Sequence, residues 1–297
     1  MNRRKFINFS FLTFFLYIAQ VIFRPFSFSK NTSLNKTIII SHDIFQKHHL
    51  KKNHPESPGR ISFIHQLLKK TGNDNLIQNT NLNVNVEKWI KTIHTQKHIK
   101  LLRKNFKIAE EASTSAVKSC IQGVDLIMSN SCTNVFCAVR PPGHHALNTG
   151  KDEGFCFYNH IAITAKYIQK KYNLEKILII DWDYHHGNST EYFFYEDPTV
   201  FFFSTHDANA YPGTGSPEKT GDGKGKGFNM NIHLPCGTKD KTIINVFKNE
   251  LVKKANFFKP DFVLISAGFD SRKDDPLGCF NLTDKGFESL TRIAMNI

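Results

Sequence analysis

Asp183 and His185 stand one residue apart in the run Asp181-Trp182-Asp183-Tyr184-His185-His186-Gly187, and Asp270 lies far downstream. Two carboxylates and one imidazole make an open, three-ligand zinc site. A catalytic zinc keeps its remaining position for water or substrate, whereas a structural zinc is closed by four protein ligands. The run Arg140-Pro141-Pro142-Gly143-His144-His145-Ala146 adds a bare histidine pair, His144 and His145. A metal with a free position beside unligated imidazoles is the equipment of metal-assisted hydrolysis. Oxygen and imidazole donors suit Zn²⁺ and also Fe²⁺ or Mn²⁺, so the donor set defines the ion's position more sharply than its identity. An ordinary buried ion pair is the weaker reading, because carboxylates are rarely buried without partners and three potential ligands at strand ends call for a cation.

Such residues need elements to hold them. Apolar runs at 36–40, 134–139, 177–181, 200–204, 228–234 and 262–266 read as strands, and 3.6-residue periodicity marks helices at 61–68, 89–102, 112–128, 161–171 and 242–255. Short apolar runs alternating with helices imply an α/β fold, a parallel sheet covered by helices on both faces. In such folds the site lies beyond the carboxyl ends of the strands, and every motif above sits there. The glycine-rich stretch 221–227 neither follows a strand nor opens a helix, so it reads as a tight connection and not a phosphate-binding turn. No internal repeat or interdomain linker interrupts the pattern.

Composition bounds the partners. The chain has 297 residues and an ordinary apolar share, but a formal net charge of +13. No Lys/Arg block is interleaved with aromatics as a nucleic-acid groove requires, so the charge reads as a basic surface and no nucleic-acid partner is expected. Six cysteines without a C-x-x-C pair exclude a zinc ribbon and a thioredoxin-like motif. A chain this large does not need a disulfide framework, although one bridge is compatible with it. Residues 1–30 stand apart: Arg3, Arg4 and Lys5 precede an uncharged apolar run to Phe23, then Pro25 and Ser27-Phe28-Ser29. That order fits a secretory signal resembling the twin-arginine type, or a membrane anchor giving contact with a membrane. Either would send the protein to the periplasm or the membrane; without it the protein is cytoplasmic. The remaining residues, 31–297, read as one catalytic domain.

Taken together, His54-Pro55-Glu56, Arg140 to Ala146, Gly154-Phe155-Cys156, Asp181 to Asn188, Tyr211-Pro212-Gly213-Thr214-Gly215 and the run from Ser266 to Gly278 resemble the zinc-dependent histone deacetylase and acetylpolyamine amidohydrolase family. The resemblance is nearest the class II type and covers nearly everything after residue 36. It implies an arginase/deacetylase-like fold and a zinc held by Asp183, His185 and Asp270. His145 would move the proton, with Asn188 as its partner, where class I members carry Asp. His144 would lie beside it, oriented by Asp181. A structural potassium would be surrounded by Asp181, Asp183, His185, Ser204 and Thr205, and Gly154, Phe155 and Tyr211 would line a tunnel for an acetyl-lysine or acetylated amine. The implied reaction is amide hydrolysis to acetate and a free amine.

Three departures qualify this reading. The family's Gly-Gly-Tyr loop, whose tyrosine donates to the developing oxyanion, does not occur in this sequence. Loss of one such donor costs about 10²–10³ in rate. Tyr184 cannot replace it, because it lies between two ligands and must point the other way. Ile297 falls in the helix before the family's last core strand, so the chain is expected to be incomplete at its carboxyl end, with two unpaired strand edges. Ser189 occupies a position where glycine is usual. The alternative is therefore a truncated, non-catalytic member that binds acylated amines or is inactive. An arginase-like two-manganese enzyme is disfavoured, since Gly187 and Gly268 stand where its bridging carboxylates are needed. Oligomeric state is not legible.

Overall fold

Asp181 is the last residue of a strand with no exposed position, and the fold is built outward from it. The computed structural model describes residues 37–50 and 53–297, so the leader-like segment 1–30 lies outside the described residues. Strand β4 (Ile177–Asp181) is buried throughout because it lies between two neighbours and under helices on both faces. With β5 (Val200–His206), β6 (Asn229–His233) and β7 (Phe262–Ser266) it forms a four-stranded parallel sheet in the order β6-β5-β4-β7. The register sets Asp181 opposite Ser204 on one side and Ser266 on the other. The loops carrying the chemistry thus leave the sheet at one level.

Strand periodicity divides the core. Ile177, Ile179, Val200 and Phe202 face α4 (Lys107–Met128) and α5 (His160–Tyr172), while Leu178, Ile180, Phe201 and Phe203 face the other way. The second face is covered by α7 (Asp240–Val246), which runs through a π turn at Phe247–Leu251 into α8 (Val252–Phe258), and by α9 (Asp284–Met295). Each large apolar side chain fully buried here contributes about 1.5–3 kcal/mol.

The expected single sheet is instead two. Strands β1 (Thr37–Ser41), β2 (Ile77–Asn79) and β3 (Asn134–Cys137) form a separate parallel sheet in the order β2-β1-β3. Among the described residues β3 pairs only with β1 and β7 only with β4, and all their residues are half-buried. The helix expected over 89–102 is broken into α2 (Glu87–Ile90) and α3 (Gln96–Asn105), because the Thr95 hydroxyl accepts from His98 N at 3.2 Å and starts a new helix. Among the short elements that escaped the periodicity are β2 and α6 (Asn188–Phe194), which opens directly after the Asp181 run.

The first sheet is tied to the histidine-bearing loop by a buried ion pair. Helix α1 (Gly59–Lys70) follows Glu56, whose carboxylate accepts from Arg140 through Nε and, at 2.6 Å, through Nη2. The same guanidinium donates to the carbonyls of Phe45 and His48, so a 1% exposed cation has a partner in each direction. Replacing Arg140 by Met strands Glu56 in the interior. A loss of about 3–5 kcal/mol is expected in urea unfolding, and a loss below 1 kcal/mol would contradict the anchoring role.

Candidate metal centre

His185 Nδ1 lies 2.8 Å from Asp270 Oδ2 and 3.2 Å from Asp183 Oδ1, and ligand atoms of all three residues fall within 4.8 Å of one another. The backbone aims them. His185 N–H donates to Asp183 Oδ1 at 2.8 Å, Asp183 N–H to Asp181 Oδ1 at 3.2 Å, and Tyr184 N–H to Asp270 Oδ1 at 2.9 Å. Gly268 leaves no room for error, because a Cβ there would collide with Asp183 Oδ2. In sequence this glycine stands out only as a missing carboxylate; its packing role is visible only in three dimensions.

The electrostatics fit a cation. Burial and the charge of Asp183 push the Asp270 carboxyl up to about 6. Burial opposes a charged His185, but hydrogen bonds to Asp183 and Asp270 overrule it and raise the ring to about 10. Such a cluster favours positive charge, which a divalent ion would supply through two carboxylates and one imidazole.

The paired histidines have opposite surroundings. His144 Nδ1–H donates to buried Asp181 Oδ2 at 2.9 Å; burial disfavours its charge, yet Asp181 and Asp183 raise it to about 9. His145 Nδ1–H donates to Asn188 Oδ1 at 2.8 Å, and burial together with neighbouring His144 holds this ring well below the ordinary imidazole range. The rings are 3.9 Å apart. Ser189, unexplained from sequence, proves to be a brace: its hydroxyl and its N–H both donate to the His144 carbonyl, at 2.8 and 3.1 Å, and Asn159 Nδ2 donates to the hydroxyl at 2.7 Å.

Of the expected tunnel residues, Gly154 and Tyr211 stand against His145. The Tyr211 ring is 5.0 Å from the imidazole and edge-on to it. Gly154 has φ +54°, and a Cβ there would strike the His145 ring. Phe155 packs edge-on to His54 at 4.6 Å, a partner the sequence reading did not assign. Ser204 and Thr205 are fully buried at the end of β5 beside Asp181. The Thr205 hydroxyl finds no hydrogen-bond partner among the described residues, while Ser204 Oγ is 2.9 Å from His206 Nδ1. Tyr184 turns its hydroxyl onto Asp207 Oδ2 at 3.0 Å.

Helix α6 presents Asn188 and is fastened by Glu191, which accepts from Asn231 Nδ2 at 2.6 Å and Asn229 Nδ2 at 3.0 Å on β6. Burial disfavours the Glu191 carboxylate, but His186 and the two amides lower it to about 2. A depressed folded-state value gives stability that is present above pH 4.5 and lost as pH falls toward 2. Glu191→Gln should therefore flatten the acid limb of stability by roughly 3 kcal/mol between these limits, read from urea unfolding at a series of pH values. For the candidate metal ligands, Gly268→Ala should displace Asp183 and weaken any Zn²⁺ binding by about 10- to 100-fold in competition with a chromogenic chelator. Unchanged affinity would remove Asp183 from the site.

Comparison with known proteins agrees with this geometry. The family model described as the histone deacetylase domain matches residues 54–297. A probable deacetylase of Archaeoglobus fulgidus is 33% identical over 275 residues, covering 87% of this chain and 76% of its own. Histone deacetylase 14, chloroplastic, of Arabidopsis thaliana is 34% identical across 82% of this chain and 65% of its own, so the chain spans just under two thirds of that relative. The crystal structure of the HDA15 HD domain superposes with a TM-score of 0.81 at 30% identity, covering 87% of this chain and 80% of that one. The chain belongs to the histone deacetylase family of the arginase–deacetylase superfamily.

Proposed function

We propose that the protein is a metal-dependent deacetylase that hydrolyses the amide of an acetyl-lysine or an acetylated amine. The observation that carries this reading is a neutral, Asn188-oriented His145 beside the convergent Asp183, His185 and Asp270, with Tyr211 and Gly154 walling the approach. A divalent cation held by those three residues, Zn²⁺ by preference and Fe²⁺ as the alternative, would polarise the acyl carbonyl and acidify the attacking water.

The chain's own residues do the rest. Asn188 accepts from His145 Nδ1–H, which leaves Nε2 free to take a proton from water and return it to the leaving nitrogen. His144, held on Asp181, places a positive ring next to the charge that develops as the carbonyl is attacked. Flat faces such as those of Phe155 and Tyr211 would suit an alkyl chain, and a side chain at Gly154 would collide with His145 and Tyr211. A structural K⁺ among Asp181, Asp183, His185, Ser204 and Thr205 would give the unpartnered Thr205 hydroxyl a polar neighbour at the end of β5. Export or anchoring through residues 1–30 would direct the enzyme to small acetylated amines or cell-envelope amides in place of nuclear substrates.

A second reading has one observation behind it: Tyr184 hydroxyl is spent on Asp207 and cannot donate to an oxyanion. On that reading the chain binds acylated amines without turning them over. Acetate release from an acetyl-lysine peptide and from an acetylpolyamine by Zn²⁺-loaded protein separates the two. Release is expected to be abolished by a chelator, and His145→Ala should lower kcat by about 10²–10⁴ while bound metal stays stoichiometric. Saturable substrate binding with no acetate from the loaded protein would establish the second reading instead.

A further inference from the structure

We propose that a disulfide between Cys236 and Cys279 is a redox-sensitive brace on the Asp270 arm of the metal centre, acting through Tyr184 as a positioning residue; this rests on the metal-dependent reading above. The two cysteines are 43 residues apart in sequence and join the segment after β6 to the loop that follows Asp270. Cys120, Cys137 and Cys156 form no disulfide among the described residues.

The path from the bridge to the ligand is short. Cys279 Sγ lies 3.2 Å from the Tyr184 hydroxyl, which donates to Asp207 Oδ2 at 3.0 Å. Asp207 N–H donates back to the Tyr184 carbonyl at 3.1 Å. On either side of Cys279, Gly278 packs against the Asp270 carbonyl and the Tyr184 ring so closely that no Cβ fits, and Phe280 meets that ring edge-on at 4.8 Å. Tyr184 thus sits in a socket made by residues 278–280 and Asp207, and from it the Tyr184 N–H reaches Asp270 Oδ1 at 2.9 Å. Besides the bridge, the two segments share the bonds Gly237 N–H to Cys279 O at 2.8 Å and Asn281 N–H to Thr238 O at 2.7 Å.

A bridged sulfur has no proton to give. Once reduced, Cys279 carries a thiol 3.6 Å from Asp207 Oδ2 that competes with Tyr184 for the same carboxylate. Reduction therefore removes a covalent tie and weakens the hydroxyl bond that holds Tyr184. Cys236 is exposed, so the bridge is open to attack from solvent. The reductant is a dithiol. Its thiolate attacks Cys236 Sγ, the S–S bond breaks, and Cys279 leaves as a thiolate that takes a proton. The second thiol then attacks the reductant's own sulfur in the mixed disulfide and releases Cys236, so two electrons pass to the protein and the dithiol departs as a cyclic disulfide.

The test compares Zn²⁺ affinity, by competition with a chromogenic chelator, in oxidised protein and in protein reduced with dithiothreitol and then freed of it by anaerobic gel filtration. Affinity is expected to fall about 10- to 100-fold on reduction and to return on reoxidation. Cys236→Ser should show the weakened affinity in both states, and if that variant does not fold, the reduction–reoxidation cycle of the unaltered chain decides. Equal affinity in both states overturns the brace, as does finding six titratable thiols in denatured, unreduced protein. Asp270→Ala separates the two failures. If oxidised protein binds Zn²⁺ no better than this variant, the metal reading falls and the brace with it; if it binds better but ignores reduction, only the brace falls.

Discussion

Three carboxylates, Asp181, Asp183 and Asp270, are gathered at the ends of two adjacent strands, and the surrounding structure is arranged to make that tolerable. Asp181 is fully buried. An isolated buried carboxylate is unfavourable by far more than a domain's net stability, so each must meet a positive charge or several donors. Asp181 meets His144, while Asp183 and Asp270 share His185. Two imidazoles against three carboxylates leave an excess of negative charge, and the site resolves it most simply with a cation. Charge compensation is thus a condition of folding as well as of chemistry, and backbone N–H groups of Asp183, Tyr184 and His185 donate to the three carboxylates.

The parallel sheet supplies the convergence. Because β4 lies between β5 and β7 in matched register, Asp181, Ser204 and Ser266 end level with one another. The segments beyond them must then share one small volume. Helix α6 begins within that volume, so Asn188 reaches His145 although 43 residues separate them. On the other side, Ser189 and Asn159 grip the backbone of the histidine loop, and Arg140 fastens its base to Glu56. A loop that carries two catalytic candidates is consequently fixed at both ends. This agrees with the general rule that precise sites need supporting residues whose own positions are locked.

Much of this was legible in the sequence, and the limits have physical causes. Strands 177–181 and 262–266 were read to the residue, since buried parallel strands are uninterrupted apolar runs bounded by polar ones. Asp183, His185 and Asp270, which the fold brings together, were singled out with the histidine pair because their types have few uses other than binding and proton transfer, and the family resemblance suggested their roles. What escaped was whatever depends on contact between distant segments. Gly268 is an unremarkable residue in a sequence until Asp183 is found against it. The Cys236–Cys279 pair has no spacing signature, and three-residue β2 is too short to show a period. Which strand pairs with which, in the orders β2-β1-β3 and β6-β5-β4-β7, was not legible either, because pairing between strands is absent from any local pattern.

The histidine pair shows how far environment overrides residue type. His144 and His145 are identical and adjacent, with rings 3.9 Å apart, yet one is held charged and the other neutral. The difference lies in the partner of each Nδ1. A carboxylate behind His144 gains more from a cation than burial takes away, whereas the neutral amide of Asn188 orients His145 without stabilising its charged form. Once His144 is charged, it disfavours a second charge next to it, so the asymmetry reinforces itself. Exchanging the amide for a carboxylate would narrow the difference between the two rings. The choice of Asn at position 188 thus helps keep the two rings in different states, His144 favouring its charged form and His145 its neutral one, and that is the division of labour the proposed amide hydrolysis would use.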